Sequence, residues 1–253
     1  MSDLNEIVQK TRLGIAESSR KSKKITSRLL SDSKTLDGRN FQAISSLDLQ
    51  QLFKAIDAEY FQGLIQNHLD AHKQDLKFRV SKRMTSSGGI TTTQFDSRTH
   101  APNHFEIAIS STLLFESFNG DKPIVVTGLL CGDRLQALAR IMEHEMIHLL
   151  EMLLWHDSSC ARSRFQNIAF RFFRHRQSNH QLITPGENAK AKYNIAAGDW
   201  VEFVIDDKRL FGYVNRITRR ATVLVPHQTG TEYSDGKKYL KYYVPVNRLR
   251  RAA

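Results

Sequence analysis

Cysteine is scarce in this chain, and so are acidic side chains and long uncharged apolar runs. The 253 residues include two Cys, Cys131 and Cys160. Two thiols make no disulfide framework, which points to a reducing compartment. No stretch resembles a transmembrane span, so no membrane partner is expected. The first ten residues, MSDLNEIVQK, lack the basic start and apolar core of a signal peptide. The expected location is therefore the cytoplasm.

Acidic residues number 26 against 37 Lys and Arg, a net charge of +11. The imbalance is uneven along the chain. Residues 41–159 hold ten Lys/Arg and fourteen Asp/Glu. Residues 1–40 hold nine against five, 160–192 seven against one, and 193–253 eleven against six. A mildly acidic block thus lies between basic ones. Basic flanks imply a nearby polyanion such as DNA or RNA, or serve solubility alone. The first case is compatible with association with the nucleoid. Length and a hydrophobic content of 40% allow one domain with a sizeable core and a smaller second one.

What is present is concentrated at His144-Glu145-Met146-Ile147-His148, an HExxH pattern. Residues i and i+4 share a helix face, so His144 and His148 can offer imidazoles to one Zn2+ ion. Glu145 can then act as general base on a zinc-bound water. The surroundings are helical: Leu135, Leu138, Met142, Met146, Leu149 and Leu153 recur at three- and four-residue spacing. Pro and Gly are absent from 133–155. Glu151 shares the metal face but lies over a turn from His144, which suits support of a ligand better than ligation.

Residues 1–45 read as a basic, loosely ordered arm with a short helix around Leu4–Ile15, with Ser/Lys/Arg clusters and few apolar side chains. From Ser46 a helical pattern runs to Ile65, weakened at Gly63. Leu76–Val80, Ile90–Phe95 and Phe105–Ser110 read as strands, with Gly88-Gly89 in a turn and 105–110 expected at an open edge. Leu113–Phe118 reads as a short helix and 119–123 as a turn. His156–Cys160 is expected to break the long helix and cap the next, which runs from about Ala161 to His175. Residues 46–180 thus make an α+β domain, a small sheet packed on the HExxH helix. Residues 181–196 read as a linker. Residues 197–253 alternate in short strands, as in a small SH3-like barrel. Candidate nucleic-acid contacts are Arg162, Arg171 and Arg174 on the helix after the motif, and Arg216, Arg219, Arg220, Lys237 and Lys238 in the barrel.

Residues 46–176 resemble the SprT-like metallopeptidases, relatives of the Spartan DNA–protein crosslink protease. The resemblance rests on Glu59-Tyr60-Phe61, Gly88-Gly89, the strand at 107–110, the HEMIH helix, and a following helix with a Phe and a terminal His. It implies a zincin-like fold, one zinc ion and endopeptidase activity, with DNA-bound proteins as substrates in the better-known members. The basic barrel looks like the appended module of a bacterial branch. In that family the third zinc ligand is usually a His four residues ahead of a Phe. Phe165 matches the Phe, but the residue four ahead is Ala161. The neighbouring Cys160 can bind as a thiolate and comes first. His156 and His175 are the alternatives.

The expected protein is therefore a zinc endopeptidase acting on protein associated with nucleic acid. Its rival is a nucleic-acid-binding adaptor whose metal site is structural or inactive. A zinc hydrolase of a non-peptide substrate lacks support, since there is no glycine-rich phosphate loop and no second metal-ligand cluster.

Overall fold

The computed structural model describes residues 3–96, 98, 102–118, 123–179 and 181–252. Residues 3–45 are not the loosely ordered arm that composition suggested. They form α1 (Leu4–Lys10) and α2 (Ile15–Asp32). The few apolar residues of this region are spaced for burial. On α2, Ser18, Ile25, Thr26 and Leu29 are all buried and fall along one helix face. Half of that face is small and polar, so hydropathy hid it. Lys21, within the basic cluster, donates to the carbonyl of Glu59 at 2.6 Å. Tyr60 Oη donates to the carbonyl of Ser18 at 3.1 Å.

The next helix, α3 (Ser46–Phe61), starts from a reciprocal cap between Ser45 and Asp48. The expected single helix then breaks, because Gln62 and Gly63 both take left-handed backbone, φ 58° and 79°. It resumes as α4 (Leu64–Ala71), whose first N–H groups bond to the buried Asp57 carboxylate.

Three strands follow: β1 (Asp75–Ser81), β2 (Gly89–Phe95) and β3 (Pro102–Ser110). Their order is β1-β3-β2, with β1 parallel and β2 antiparallel to β3. The strand at 105–110 is thus central, not an open edge. Phe105, Ile107, Ala108 and Ile109 are buried, as befits a strand covered on both faces. The edge beside the motif is β2.

After α5 (Ser111–Ser117) comes a hairpin, β4 (Ile124–Val126) and β5 (Leu129–Cys131). The turn expected at 119–123 lies, but for Pro123, outside the described residues. Helix α6 (Arg134–Trp155) is capped by Asp133, which accepts from Gln136 N at 2.8 Å. Arg39 Nε holds the same Asp133 carboxylate at 2.7 Å. Leu135, Leu138, Met142 and Leu149 are fully buried where α6 packs against β2, β3, α3 and the next helix, α7 (Ser163–Phe173).

The chain divides into two compact units, Met1–Leu182 and Ile183–Ala253. The expected linker at 181–196 is mostly α8 (Pro185–Tyr193), started by a Thr184–Glu187 capping box with Pro at its first position. Five strands complete the second unit: β6 (Trp200–Ile205), β7 (Lys208–Ile217), β8 (Ala221–Glu232), β9 (Lys238–Val244) and β10 (Arg250–Arg251). They form one antiparallel sheet in the order β10-β6-β7-β8-β9. Alternate residues, Val201 and Phe203, Val223 and Val225, with Val214 and Val244, make its core.

Candidate metal centre

One helical turn separates His144 from His148 on α6, and their Nε2 atoms lie 3.2 Å apart. The loop between α6 and α7 returns Cys160 to the same place. The ligand atoms of His144, His148 and Cys160 all lie within 4.8 Å of one another. Among the described residues this is the one such group. Phe165, at the start of α7, wedges both imidazoles, its ring centre 4.8 Å from that of His144 and 4.6 Å from that of His148.

A relay behind His148 sets its tautomer. Ser158 Oγ donates to Glu151 Oε2 at 2.7 Å and lies 2.7 Å from His148 Nδ1. Its one proton is committed to the carboxylate, so Nδ1–H must be the donor to Ser158. The lone pair of His148 is then on Nε2, towards His144 and Cys160. Burial lowers the His148 pKa, with the Glu151 charge opposing, and this favours a neutral imidazole. Glu151 is itself wholly buried. It accepts from Arg164 Nε at 2.6 Å and from Ser159 N at 3.3 Å. Arg164 also bonds Asp157, so the loop that carries Cys160 is clamped on both sides.

Glu145 turns away from the relay towards β2. Thr91 Oγ1 donates to its Oε2 at 2.8 Å and to its backbone carbonyl at 3.0 Å. Burial pushes the Glu145 pKa up to about 7, with the Thr91 bonds opposing. Gly89 allows the close approach. A Cβ there would stand 2.7 Å from Glu145 Cγ and Oε1.

The other ligand candidates lie elsewhere. His156 is the exposed, left-handed C-cap of α6, φ 57°, and stays out of the cluster. His175 is buried, with Nε2 2.9 Å from Glu143 Oε2. Arg140 Nη1 bonds the same carboxylate at 2.8 Å, so His175 belongs to a separate buried ion cluster. The expected role of His156–Cys160 as a cap for α7 also fails, although the cluster does end α6. Arg162 is the N-cap and makes no side-chain cap bond. The serines serve Glu151 instead. Sequence reading passed over Thr91, Ser158 and Arg164 as site residues. Their only signal was proximity to Gly89, Cys160 and Phe165 in the chain.

The basic candidates also separate. Arg171 is buried and donates to the carbonyls of Val8 and Thr11, both at 2.6 Å, and of Gln9 at 3.3 Å. It ties α1 to α7 and has no face for nucleic acid. Arg162 pairs with Asp157 while exposed, and Arg174 lies 5.1 Å over the Phe170 ring. Arg216, Arg219 and Arg220 are exposed at the β7–β8 turn. Lys237 and Lys238 are exposed at the β8–β9 turn, the other end of β8. The two groups therefore do not form one patch. Between them a row in register, Trp200, Tyr213, Leu224 and Lys241, crosses the sheet face opposite the core cluster, with Leu224 buried in it. Tyr213 and Tyr243 are 47% and 61% exposed there, beside Arg216.

Comparison with protein-family models, with curated proteins and with solved structures finds no match.

Proposed function

We propose that this chain is a zinc-dependent endopeptidase of the SprT-like kind, with a zincin-like first unit and an SH3-like barrel as its second. The observation that carries this reading is the meeting of His144, His148 and Cys160 within 4.8 Å, beside the buried carboxylate of Glu145. The donor set suits zinc. Two imidazole nitrogens bound tetrahedrally at about 2.0–2.1 Å lie about 3.3 Å apart, and thiolate is a common third donor. The Nε2 separation of 3.2 Å agrees. When bound, zinc supplies Lewis acidity, which polarises a carbonyl and makes water more acidic.

The proton transfers fall to Glu145. A carboxyl group near pKa 7 can take a proton from water and return it to a leaving amine at neutral pH. Thr91 holds the carboxylate in one orientation, and Gly89 leaves its other oxygen uncovered by any side chain of its own. The β2 edge suits an extended peptide. Ser110 N bonds Gly88 O, so Gly88 and every second residue after it turn towards β3. The backbone groups of Gly89, Thr91 and Thr93 then face the open side, where Thr91 N–H already meets the Glu145 carboxylate and the other groups can take a substrate strand.

In the same reading the second unit brings the enzyme to nucleic acid. Trp200, Tyr213 and Tyr243 offer stacking surfaces, and Arg216 and Lys241 offer phosphate contacts. That face is also what favours the alternative, an adaptor with a structural or inactive metal site. The deciding experiment is cleavage of protein substrate with and without DNA, by wild type and Glu145→Gln, alongside metal analysis. Cleavage by wild type alone, with zinc present in both, is the expected result. Equal cleavage by Glu145→Gln would sink the mechanism. Native protein without zinc would sink the site. Salt-sensitive nucleic-acid binding with no cleavage by either protein would establish the adaptor.

A further inference from the structure

Next to Glu145 and His144 lies a cleft of about 330 Å³. Beyond the motif helix and Gly89, its walls are Ser86, Ser87, Val126, Thr127, Ser178 and Asn179. They come from three segments far apart in the chain: the loop before β2, the tip of the β4–β5 hairpin, and the stretch after α7. Backbone bonds join two of these into one wall. Thr127 N donates to Asn179 O at 2.8 Å, and Gln181 N to Val125 O at 2.7 Å. Arg176 N and Gln177 N both donate to Thr127 O, at 2.9 and 3.2 Å. The cleft is thus shaped by ordered main chain rather than by loosely placed side chains.

Thr127 is the unusual member. It is a β-branched residue in left-handed backbone, φ 54°, and almost wholly buried. A two-residue hairpin tip of this kind is relaxed with Asn or Gly at that place. Thr is strained there. Its hydroxyl donates to Val126 O at 2.7 Å, so that proton is already committed. Gly128 cannot take over as the bulky position, because a Cβ would stand 2.8 Å from Arg176 Cβ. A strained side chain is therefore kept at the wall of a cleft that opens on the general base.

The chemistry of the lining is neutral. Among the described residues, no Lys, Arg or Asp lines the cleft, and its one carboxylate is Glu145. A charged substrate side chain would lose water against Val126 and Ile141, and the one carboxylate there, Glu145, is already held by Thr91. Ser86, Ser87, Ser178 and Asn179 can meet hydroxyl and amide groups.

We propose that this cleft is the specificity pocket of the peptidase, admitting one uncharged side chain adjacent to the scissile bond. Asn, Gln, Thr and Val are of the class that fits, and Lys, Arg, Asp and Glu are excluded. The assignment rests on the peptidase reading.

The test is a randomised peptide library cleaved by wild type, Asn179→Asp and Ser178→Trp, with the cut sites read by mass spectrometry. For wild type, one position next to the cut should disfavour charged residues by about tenfold or more. Asn179→Asp, a change at an exposed residue, should admit Lys and Arg at that position. Ser178→Trp should narrow the same position to Gly and Ala. All other positions should keep their profile. Active wild type with no preference beside the cut, or a profile unmoved by both variants, overturns the pocket and leaves the peptidase standing. A wild type that cuts nothing overturns the peptidase reading and the pocket with it.

Discussion

The two units are both basic, yet only the first turns any of its arginines inward. Four of its guanidinium groups are drawn in, while others, such as Arg28 and Arg162, stay exposed. Arg134 is 4% exposed and donates to the carbonyls of Asn40, Phe41 and Phe115. Arg171 does the same for the last carbonyls of α1, and Arg140 is held by the buried Glu143. Arg164 clamps the ligand loop. In the second, Arg209, Arg216, Arg219, Arg220 and Arg250 are exposed on a small sheet with an all-apolar core. Charge density along the chain is therefore a poor guide to where a polyanion could bind. Five N–H donors on a planar group suit helix-end and loop carbonyls as well as phosphates. A unit with one small sheet has no interior room for such a group, so its cations remain outside.

This contrast can be broken by experiment, the largest effect coming from the helical unit. Glu145→Gln is expected to lower cleavage by about 10³-fold, the usual contribution of a positioned base, with zinc retained. Steady-state rates and metal content check it. Next comes Arg171→Met, which leaves three carbonyls of the α1 end without their donor. A loss of about 3 kcal/mol is expected in urea unfolding. A change below about 0.5 kcal/mol would mean that Arg171 is a surface cation after all.

The pH dependence of the metal-free protein follows from Glu145. Its carboxyl pKa rises from 4.5 to about 7 on folding. Below the lower value it is protonated in both states and contributes nothing. As pH rises from there to the folded value, the unfolded chain releases the proton first. Folding thus loses up to about 3 kcal/mol, and the loss is complete above the folded pKa. Glu145→Gln should match wild type in stability at pH 4 and exceed it at pH 8. Paired thermal melts across that range provide the measurement, and parallel curves would contradict it.

In the second unit, Arg219→Ala should change stability by less than about 0.5 kcal/mol. Tyr213→Ala should cost about 1–3 kcal/mol of single-strand affinity by loss of one stacking platform. Fluorescence titration with an oligonucleotide measures the second. Unchanged affinity would remove the sheet face from the proposed interface.

Several elements were legible in residue order because their causes are local. The apolar spacing of α6, the helical pattern that starts at Ser46 and the alternating strands of the second unit all act within a few residues, whereas α8, despite its Thr184–Glu187 capping box, has the composition of a linker. Helix α2 was missed because buried Ser18 and Thr26 replace apolar residues on its inner face. The sheet order was misjudged because Phe105–Ser110 alternates like an edge strand until Ala108 and Ile109 are seen to be buried as well.

The meeting of His144 and His148, with Glu145 beside them, was readable from spacing alone. An α-helix puts residues four apart on one face whatever surrounds it, so HExxH carries its own geometry. The third member of the cluster has no such local rule. Cys160 reaches the histidines because Glu151 and Arg164 pull the loop back over α6, and His175 is lost to Glu143 through a contact 32 residues away in sequence. Gly89 and Thr91 join Glu145 across more than fifty residues, through the packing of β2 on α6. Periodicity has no reach over such distances. Those partners were set by how the helices and sheet close on one another.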